Sequence, residues 1–506
     1  MDKNSLWKKI SHSGIKYPLL NETIEVDVLI IGGGITGITA ATQLLASGKK
    51  IAIVEAHTIG GVTTSLSTGN LYVPVQPFYQ TIASKFDIAT AAQVAKSRQF
   101  AIDYIENTIA DYKIDCNFTR RPWFAYTEGE KETFLEKELT IMKQLGIEVD
   151  YVSDLPYKLN FTKAISIQNQ ARFNPLQYLI SLAEELNKKG CLIYENTPVE
   201  DIQETENICS IKTAKGEIKA QSVFMATHTP LGIDLTQQFT APYRSYVVAL
   251  QLDSKQYEEG HLINMDSSSY SISTHADKTN KPGIILIAGS HHKTGQDGNM
   301  KEHYSEIEKF LKKHFSQSTV SLKWSAQHYQ SADSLPYIGL QSKGSKRLYI
   351  ATGYFADGLV YGTLAGLIVA DLIEKKNPFT NKLYSSTRST PLASMNFFLK
   401  ENANVLAQYI KDLPQVEQRN FKAIKPGEGK VVVINQEKCA VSRDVNNNLH
   451  MLCAVCPHMK CIVNWNNAEQ TWDCPCHGSR FTQTGQVIEG PATANLDKFN
   501  FKEESV

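Results

Sequence analysis

Residues Val26–Ile31 (VDVLII) form a largely apolar run, the pattern of a strand buried on both faces. The run leads into Gly32-Gly33-Gly34-Ile35-Thr36-Gly37. Apolar positions at helical spacing follow from Ile38 to Ser47, and Gly48 ends them. A second strand, Lys50–Val54, closes at Glu55. This pattern predicts a βαβ unit of about thirty residues. Helix-like and strand-like segments then alternate to about residue 375. Asn174-Pro175 opens a helix over Leu176–Lys189, which Gly190 stops. Cys191–Tyr194, Ser222–Ala226 and Leu348–Ala351 read as short strands. Pro378, Pro391, Pro414 and Pro426 punctuate a connector between Asn377 and Gly429, with an amphipathic helix expected near Met395–Ile410. Beyond it, Val431–Ile434 and Lys438–Arg443 are strand-like, and turns such as Asn446-Asn447-Asn448 separate short segments. An all-β module of about 75 residues is expected there. The chain shows no internal repeat.

Composition narrows the function classes. Among 506 residues, 52 Lys and Arg balance 52 Asp and Glu, so nothing in the charge draws the chain to a nucleic acid or an anionic membrane. Apolar residues at 42% and charged residues at 21% exclude disorder, collagen and coiled coil for the whole chain. The first 25 residues hold Lys3, Lys8, Lys9 and Lys16 but no apolar run of signal-peptide length, and Leu364–Ile373 is half a bilayer span. The expectation is a cytoplasmic protein with no integral membrane segment and no nucleic-acid partner. The nine cysteines are unevenly placed. Cys116, Cys191 and Cys209 are scattered, whereas Cys439, Cys453, Cys456, Cys461, Cys474 and Cys476 crowd the end. Such a distribution does not build a disulfide scaffold for the whole fold.

Gly32, Gly34 and Gly37 stand as G-x-G-x-x-G between a strand and a helix. Gly32 permits the turn, Gly34 lets a pyrophosphate approach the backbone, and Gly37 lets helix and strand pack closely. The helix N-terminus faces the phosphates with free N–H groups. Glu55, 23 residues after Gly32, is placed to take ribose hydroxyls and disfavours a 2′-phosphate. Two further segments lean toward FAD over NAD: Gly60-Gly61-Val62-Thr63-Thr64-Ser65, and Ala351-Thr352-Gly353-Tyr354-Phe355-Ala356-Asp357-Gly358, which opens the last helix. With these residues, positions 24–376 resemble the D-amino-acid-oxidase and glycine-oxidase type of FAD-dependent oxidoreductase. The resemblance implies that Thr63 and Thr64 lie along the flavin, that the backbone of Val199 meets the adenine, and that the Gly353–Gly358 turn approaches the isoalloxazine ring. Many amino-acid oxidases carry an arginine five residues before the aspartate matching Asp333, to clamp the substrate carboxylate. This chain has His328 there, which cannot form that fork.

Cys456-Pro457-His458 is followed by Cys474-Pro475-Cys476-His477, a C-x-H…C-x-x-H pattern that supplies two thiolates and two imidazoles from two loops. A Rieske [2Fe–2S] centre takes this set, two cysteines on one iron and two histidines on the other. Zinc accepts the same donors but needs only four of the six Cys and His residues in these loops. The two segments, with Gly490-Pro491-Ala492, resemble Rieske proteins of the cytochrome bc1/b6f type over about residues 430–500. That resemblance implies Cys456, His458, Cys474 and His477 as ligands and a Cys461–Cys476 disulfide between the loops. It also implies that Ser479 donates to a cluster sulfide, and it places Phe481 where a tyrosine is common. Fewer donors to sulfur stabilise the reduced cluster less, so a comparatively low potential is expected. Cys439 and Cys453 have no place in the pattern and read as packing residues.

The fold class expected is an α/β FAD-binding Rossmann-like fold with an interleaved α+β substrate region, plus a small all-β Rieske domain. The expected division is an oxidoreductase domain over 1–385, a connector over 386–429, and the Rieske domain over 430–506. FAD-binding segments fall at about 24–70, 172–234 and 333–376, with the substrate region at 71–171 and 235–332. A flavin takes electrons in pairs and a Rieske cluster takes them singly. The implied reaction oxidises a small organic donor of the amine, amino-acid or hydroxy-acid class. Electrons then pass singly to the cluster and, through its histidine edge, to an external one-electron acceptor. Two alternatives stand beside it: a relay whose FAD is reduced by a nicotinamide or partner protein, and a redox sensor. No catalytic base is assigned. His228, His291, His292 and His328 could line a pocket or serve as hydrogen-bonded structural histidines. Neither a serine-hydrolase elbow nor a two-histidine, one-carboxylate iron motif is evident.

Overall fold

The computed structural model describes residues 4–12, 14–157, 159–252, 259–266, 269–275, 283–315, 319–376, 380–411 and 423–499. Thr23–Ile31, whose last four positions are all buried, is a central strand of an eight-stranded sheet. Its parallel core runs Leu348–Thr352, Glu217–Met225, Thr23–Ile31, Ile51–Val54, Leu192–Tyr194. Glu217–Met225 is longer than the expected Ser222–Ala226. Its first half alternates exposed and buried positions, because only one face is covered there, and so carries no apolar run. Two of the helices on this sheet cross each other. Ile35–Ala46 starts directly at Gly34. Gly358–Ile373 is apolar on almost every side and buried accordingly. They cross closely because a Cβ at Gly362 would stand 2.7 Å from Thr36 Oγ1, and one at Gly366 would stand 2.6 Å from Thr36 O. Pro175–Lys188 also packs on this layer, with Asn174 capping it by accepting from Gln177 N (3.1 Å).

A nine-stranded mixed sheet forms the second layer, in the order Thr319–Ser331, Thr240–Gln251, Ile284–Lys293, Ser271–His275, His261–Asn264, Thr119–Thr127, Lys163–Arg172, Asn70–Leu71, with Asp150–Tyr151 paired to Lys163–Arg172. Its long strands come mostly from residues 119–172 and 240–331, between the segments that build the first sheet. The connector holds one long helix, Pro391–Lys411, which begins earlier than expected because proline suits a first helical turn. Pro414 of the connector lies outside the described residues. The C-terminal part is all β. A three-stranded sheet (Gly429–Ile434, Glu437–Arg443, Leu449–Cys453) and a four-stranded sheet (Asn464–Asn466, Thr471–Asp473, Arg480–Thr482, Val487–Glu489) enclose their own core around Leu452, Trp472 and Phe481. Among the described residues, no helix is long and apolar enough to cross a membrane.

Candidate functional site: a flavin cradle facing an iron–sulfur loop pair

The glycine turn sits at the C-terminal end of Thr23–Ile31. Gly32 adopts φ +113°, and a Cβ there would meet Ala226 O at 2.5 Å. A Cβ on Gly37 would reach Gly32 O at 2.0 Å. The Cβ side of Gly34, by contrast, meets only Thr64 Oγ1 at 3.3 Å, which leaves that backbone open to a phosphate. Thr64 also accepts Ile35 N–H at 3.2 Å. Glu55 is turned onto the glycine turn: Oε2 accepts from Gly33 N and Oε1 from His57 N, both at 2.8 Å. Burial pushes its carboxyl above the usual range against those two bonds. Thr63 lies 3.5 Å from His228 Nδ1. Val199 is buried as the first residue of Val199–Glu204. Gly353 and Gly358 bracket the turn into the last helix, and the space beside Gly358 is open. All these positions except Val199 gather at the C-terminal edge of the parallel strands, where such sheets bind ligands.

One buried pair that no local pattern announces fixes the turn. Arg98 reaches Asp357 at 3.3 Å, with both side chains fully buried. Asp357 also accepts from Tyr72 OH (2.8 Å) and Gln76 N (3.0 Å), while Arg98 donates to the carbonyls of Tyr72, Val73 and Pro74. The segment Tyr72–Gln76 of the second layer is thereby fastened to the helix that opens beside the flavin cradle. A different signal was present in the sequence for the helix crossing: Gly358, Gly362 and Gly366 recur every four residues, on one helix face.

His328 is buried, with Ser245 Oγ 3.4 Å from its Nδ1, and Ser245 also lies 2.7 Å from His291 Nδ1. Burial and the neighbouring His291 and His228 hold His328 well below its usual pKa. It therefore offers a neutral hydrogen-bonding group where an arginine would offer a fork. His292 and His303 meet Asp297, two imidazoles and one carboxylate within metal-ligand reach, an arrangement not expected from the sequence. Their rings are stacked at 4.2 Å and 6°, however, so their in-plane lone pairs run parallel and do not converge. Tyr246 OH and Ser290 Oγ occupy two of the ring nitrogens.

The two loops of the C-terminal part differ in this respect. His458 and His477 stand 5.0 Å apart at 81°, an edge-on pair that can aim at one point. The Nδ1 of each is buried with no hydrogen-bond partner. Cys456 and Cys474 are buried thiols that hydrogen-bond each other, and this bond lowers Cys456 to about 7. Cys461 and Cys476 are joined as a disulfide, as the resemblance implies. Although their sulfurs lie near that of Cys474, they are not free to bind metal. Ser479 Oγ accepts Ala492 N–H at 3.0 Å and hydrogen-bonds Cys456. Four open donors from two loops, two sulfur and two nitrogen, fit a Rieske [2Fe–2S] cluster. Cys439 and Cys453 face each other across adjacent strands, Cys439 wholly buried.

The loop pair is pressed against the oxidoreductase half. His458 Nε2 lies 3.0 Å from Gly232 O and 3.1 Å from Gln237 Oε1. Gly478 contacts Pro242, where a Cβ would fall 2.6 Å from the proline ring. Beside the loops Arg244, fully buried, reaches Glu469 (2.6 Å) and Glu489 (3.8 Å) of the C-terminal part. Arg480 completes the group, bonded to Glu469, Asp473 (3.1 Å) and Glu489 (3.4 Å). His458, on the histidine edge expected to serve an outside acceptor, is half-buried and makes these contacts with the oxidoreductase half. A small cleft beside Pro475, Cys476 and His477, walled by Gln296, Glu401 and Asn404, adjoins the loops.

These two sites define a flavoprotein oxidoreductase with an iron–sulfur domain. The chain belongs to the family described as DAO, FAD dependent oxidoreductase, which matches residues 27–372, and a Rieske [2Fe-2S] domain matches residues 413–500. It is similar along most of its length to YhfW of Bacillus subtilis (strain 168), which is named for a Rieske 2Fe-2S iron–sulfur centre: 33% identity over 490 residues, 96% of this chain and 95% of that protein. It is also similar to the gamma-glutamylputrescine oxidoreductase of Escherichia coli (strain K12), 24% identical over 394 residues, 72% of this chain and 88% of that one. The crystal structure of glycine oxidase from Geobacillus kaustophilus shares the fold, with a TM-score of 0.60 at 21% identity over 72% of this chain and 99% of that one. The protein is thus an FAD-dependent oxidoreductase whose cofactors are FAD and a [2Fe–2S] cluster.

Proposed function

We propose that the protein is a dehydrogenase that oxidises a small organic donor of the amine, amino-acid or hydroxy-acid class and sends the electrons singly through the cluster to an external one-electron acceptor. Bound FAD supplies a two-electron acceptor, and the bound cluster supplies a one-electron store. Gly32, Gly34, Gly37, Glu55, Thr63, Thr64, Val199, Gly353 and Gly358 hold FAD, and Cys456, His458, Cys474 and His477 hold the cluster. The division into residues 1–385, 386–429 and 430–506 is part of the same proposal. The observation that carries it is the packing of the histidine edge against the flavin-bearing half, with half-buried His458 bonded to Gly232 and Gln237. A cluster meant only for partners would keep that edge open. Neutral His328 beside Ser245 lets a donor dock without a carboxylate clamp and keeps an imidazole near the cradle as a hydrogen-bond acceptor. The E. coli relative named for gamma-glutamylputrescine keeps the amine class in front.

Anaerobic titration of the holoenzyme with a panel of amines, amino acids and hydroxy acids tests this. Flavin bleaching by a small donor, followed by cluster reduction, is expected. Bleaching only by NADH or by a partner protein would replace the enzyme with the relay.

A further inference from the structure

We propose that Tyr329, assisted by Gln327, is the positioning residue that holds the cluster loop against the flavin turn, so that the docked arrangement is the one in which electrons cross. This rests on the reading that flavin electrons pass to the cluster. The strand Thr319–Ser331 runs between the two sites. On the flavin side, the Tyr329 carbonyl accepts Phe355 N–H at 2.9 Å, inside the Gly353–Gly358 turn. The Tyr329 ring packs edge-on against His228 at 4.9 Å, and His228 in turn lies beside Thr63. On the cluster side, the Tyr329 hydroxyl lies within hydrogen-bond reach of the carbonyls of His477 (3.3 Å) and Gly490 (3.4 Å), which share its one proton. Gln327 Nε2 donates to Gly478 O at 2.9 Å and to Tyr329 OH at 3.1 Å. Thr294 Oγ1 donates to Gln327 Oε1 at 3.0 Å, which fixes the amide in that orientation.

Tyr329 is thus one buried residue bonded at its backbone to the flavin turn and at its hydroxyl to the loop that carries His477. Its length sets the separation of the sites. In the transfer step one electron leaves reduced flavin and one ferric iron of the cluster becomes ferrous. Tyr329 gains and loses neither electron nor proton. An external one-electron acceptor must reoxidise the cluster before the second electron crosses.

The test uses the holoenzyme, Tyr329→Phe and Gln327→Met. Flash photoreduction with EDTA as sacrificial donor loads the flavin, and flavin absorbance and the visible circular dichroism of the cluster are followed in time. Tyr329→Phe keeps the ring on His228 and the backbone bond to Phe355. Both variants are expected to load flavin and cluster normally. Flavin-to-cluster transfer is expected to slow by roughly fivefold for each net hydrogen bond lost. It should also become viscosity-dependent, because a loosened loop must find its seat before each transfer, whereas the wild-type rate should ignore viscosity. Wild-type rates without viscosity dependence in both variants would overturn the inference and leave the proposed function standing. A wild-type enzyme whose reduced flavin never reduces a cluster that dithionite does reduce would overturn the proposed function itself. If one variant loses its cluster spectrum the other decides, and loss in both would assign these residues to folding and end the proposal.

Discussion

At the flavin cradle the decisive residues are those without side chains, and at the cluster loops they are those with particular ones. Gly32, Gly37, Gly362 and Gly366 each stand where a Cβ would strike backbone or a packed side chain, so the cradle exists because atoms are missing. Cys456, His458, Cys474 and His477 work by the opposite principle, presenting two buried imidazole nitrogens without a hydrogen-bond partner and two thiols outside any disulfide. The two stacked histidines of the second layer show why composition is not enough. His292, His303 and Asp297 match the donor count of many metal sites, yet a 6° stack cannot focus on one ion while the 81° pair in the cluster loops can. Geometry of the lone pairs separates the two.

The largest effect expected breaks one site and spares the other. Gly37→Ala puts a methyl 2.0 Å from Gly32 O, a backbone atom that cannot step aside, and overpacking of this kind costs about 1–3 kcal/mol. The purified variant should contain little or no flavin but keep the circular dichroism of the cluster. Cys456→Ser should do the reverse, with the cluster gone and flavin absorbance intact. If either variant empties both sites, the two halves are not independent cofactor holders and the comparison fails.

The same contrast explains what could be read from the chain. The glycine fingerprint and the C-x-H…C-x-x-H spacing are local, so each is visible within thirty residues. What joins the sites is not. Arg244 meets Glu469 across 225 residues, and Gln327 meets Gly478 across 151. No periodicity reports such a contact, because it follows from how two layers distant in the chain abut. Arg98 and Asp357 were equally silent, each an ordinary charged residue until packing buried both. The start of Glu217–Met225 escaped for a different reason: half-covered strands alternate polar and apolar residues and resemble loops. The contacts of His458 with Gly232 and Gln237 could not be foreseen either, since orientation of a module is a property of its interface.

Acid should separate the halves next. Burial holds His228 at about 4, His261 at about 3, and His275 and His328 well below the ordinary value near 6.5. Each is neutral in the folded state and takes up a proton on unfolding. The stability this gives is complete above about pH 6.5 and is lost as pH falls toward 4, on the order of 3 kcal/mol for His228. All four belong to the flavoprotein half, whereas the histidines of the Rieske part that burial lowers, His458 and His477, are the two placed to hold the cluster. Melting followed by flavin release should therefore shift down between pH 7 and pH 4.5 more than melting followed by the cluster signal. Equal shifts would show that the halves unfold as one unit.

Arg244→Met tests the seam itself. Its guanidinium is fully buried and holds Glu469 and Glu489, and its loss leaves Arg480 alone against those two and Asp473. Removing one partner of a buried ionic group costs about 3 kcal/mol or more. In urea the flavin-monitored and cluster-monitored transitions of the variant should lie further apart than those of the unmutated protein, with each half keeping its cofactor until its own transition. An unchanged separation and unchanged midpoints would mean that the ionic group adds nothing to docking.

Phe481→Tyr carries the smallest effect and probes the side-chain principle at its finest grain. Phe481 is fully buried, pairs with Trp472 across the strand, and shares its core with Cys456, Cys474 and Cys476. A hydroxyl introduced there must find an acceptor or pay its desolvation. The cluster sulfurs are the nearest acceptors that the resemblance to bc1/b6f-type proteins implies, two residues from Ser479, which already bonds Cys456. A donor to sulfur favours the reduced, more negative cluster. One net hydrogen bond of about 1 kcal/mol corresponds to a rise of about 40 mV for a one-electron couple. Film voltammetry of the variant should show that rise with the flavin potential unmoved. An unchanged cluster potential would mean that the sulfurs are already fully bonded, and that the tuning of this site lies in the interface carrying Tyr329 and Gln327 instead.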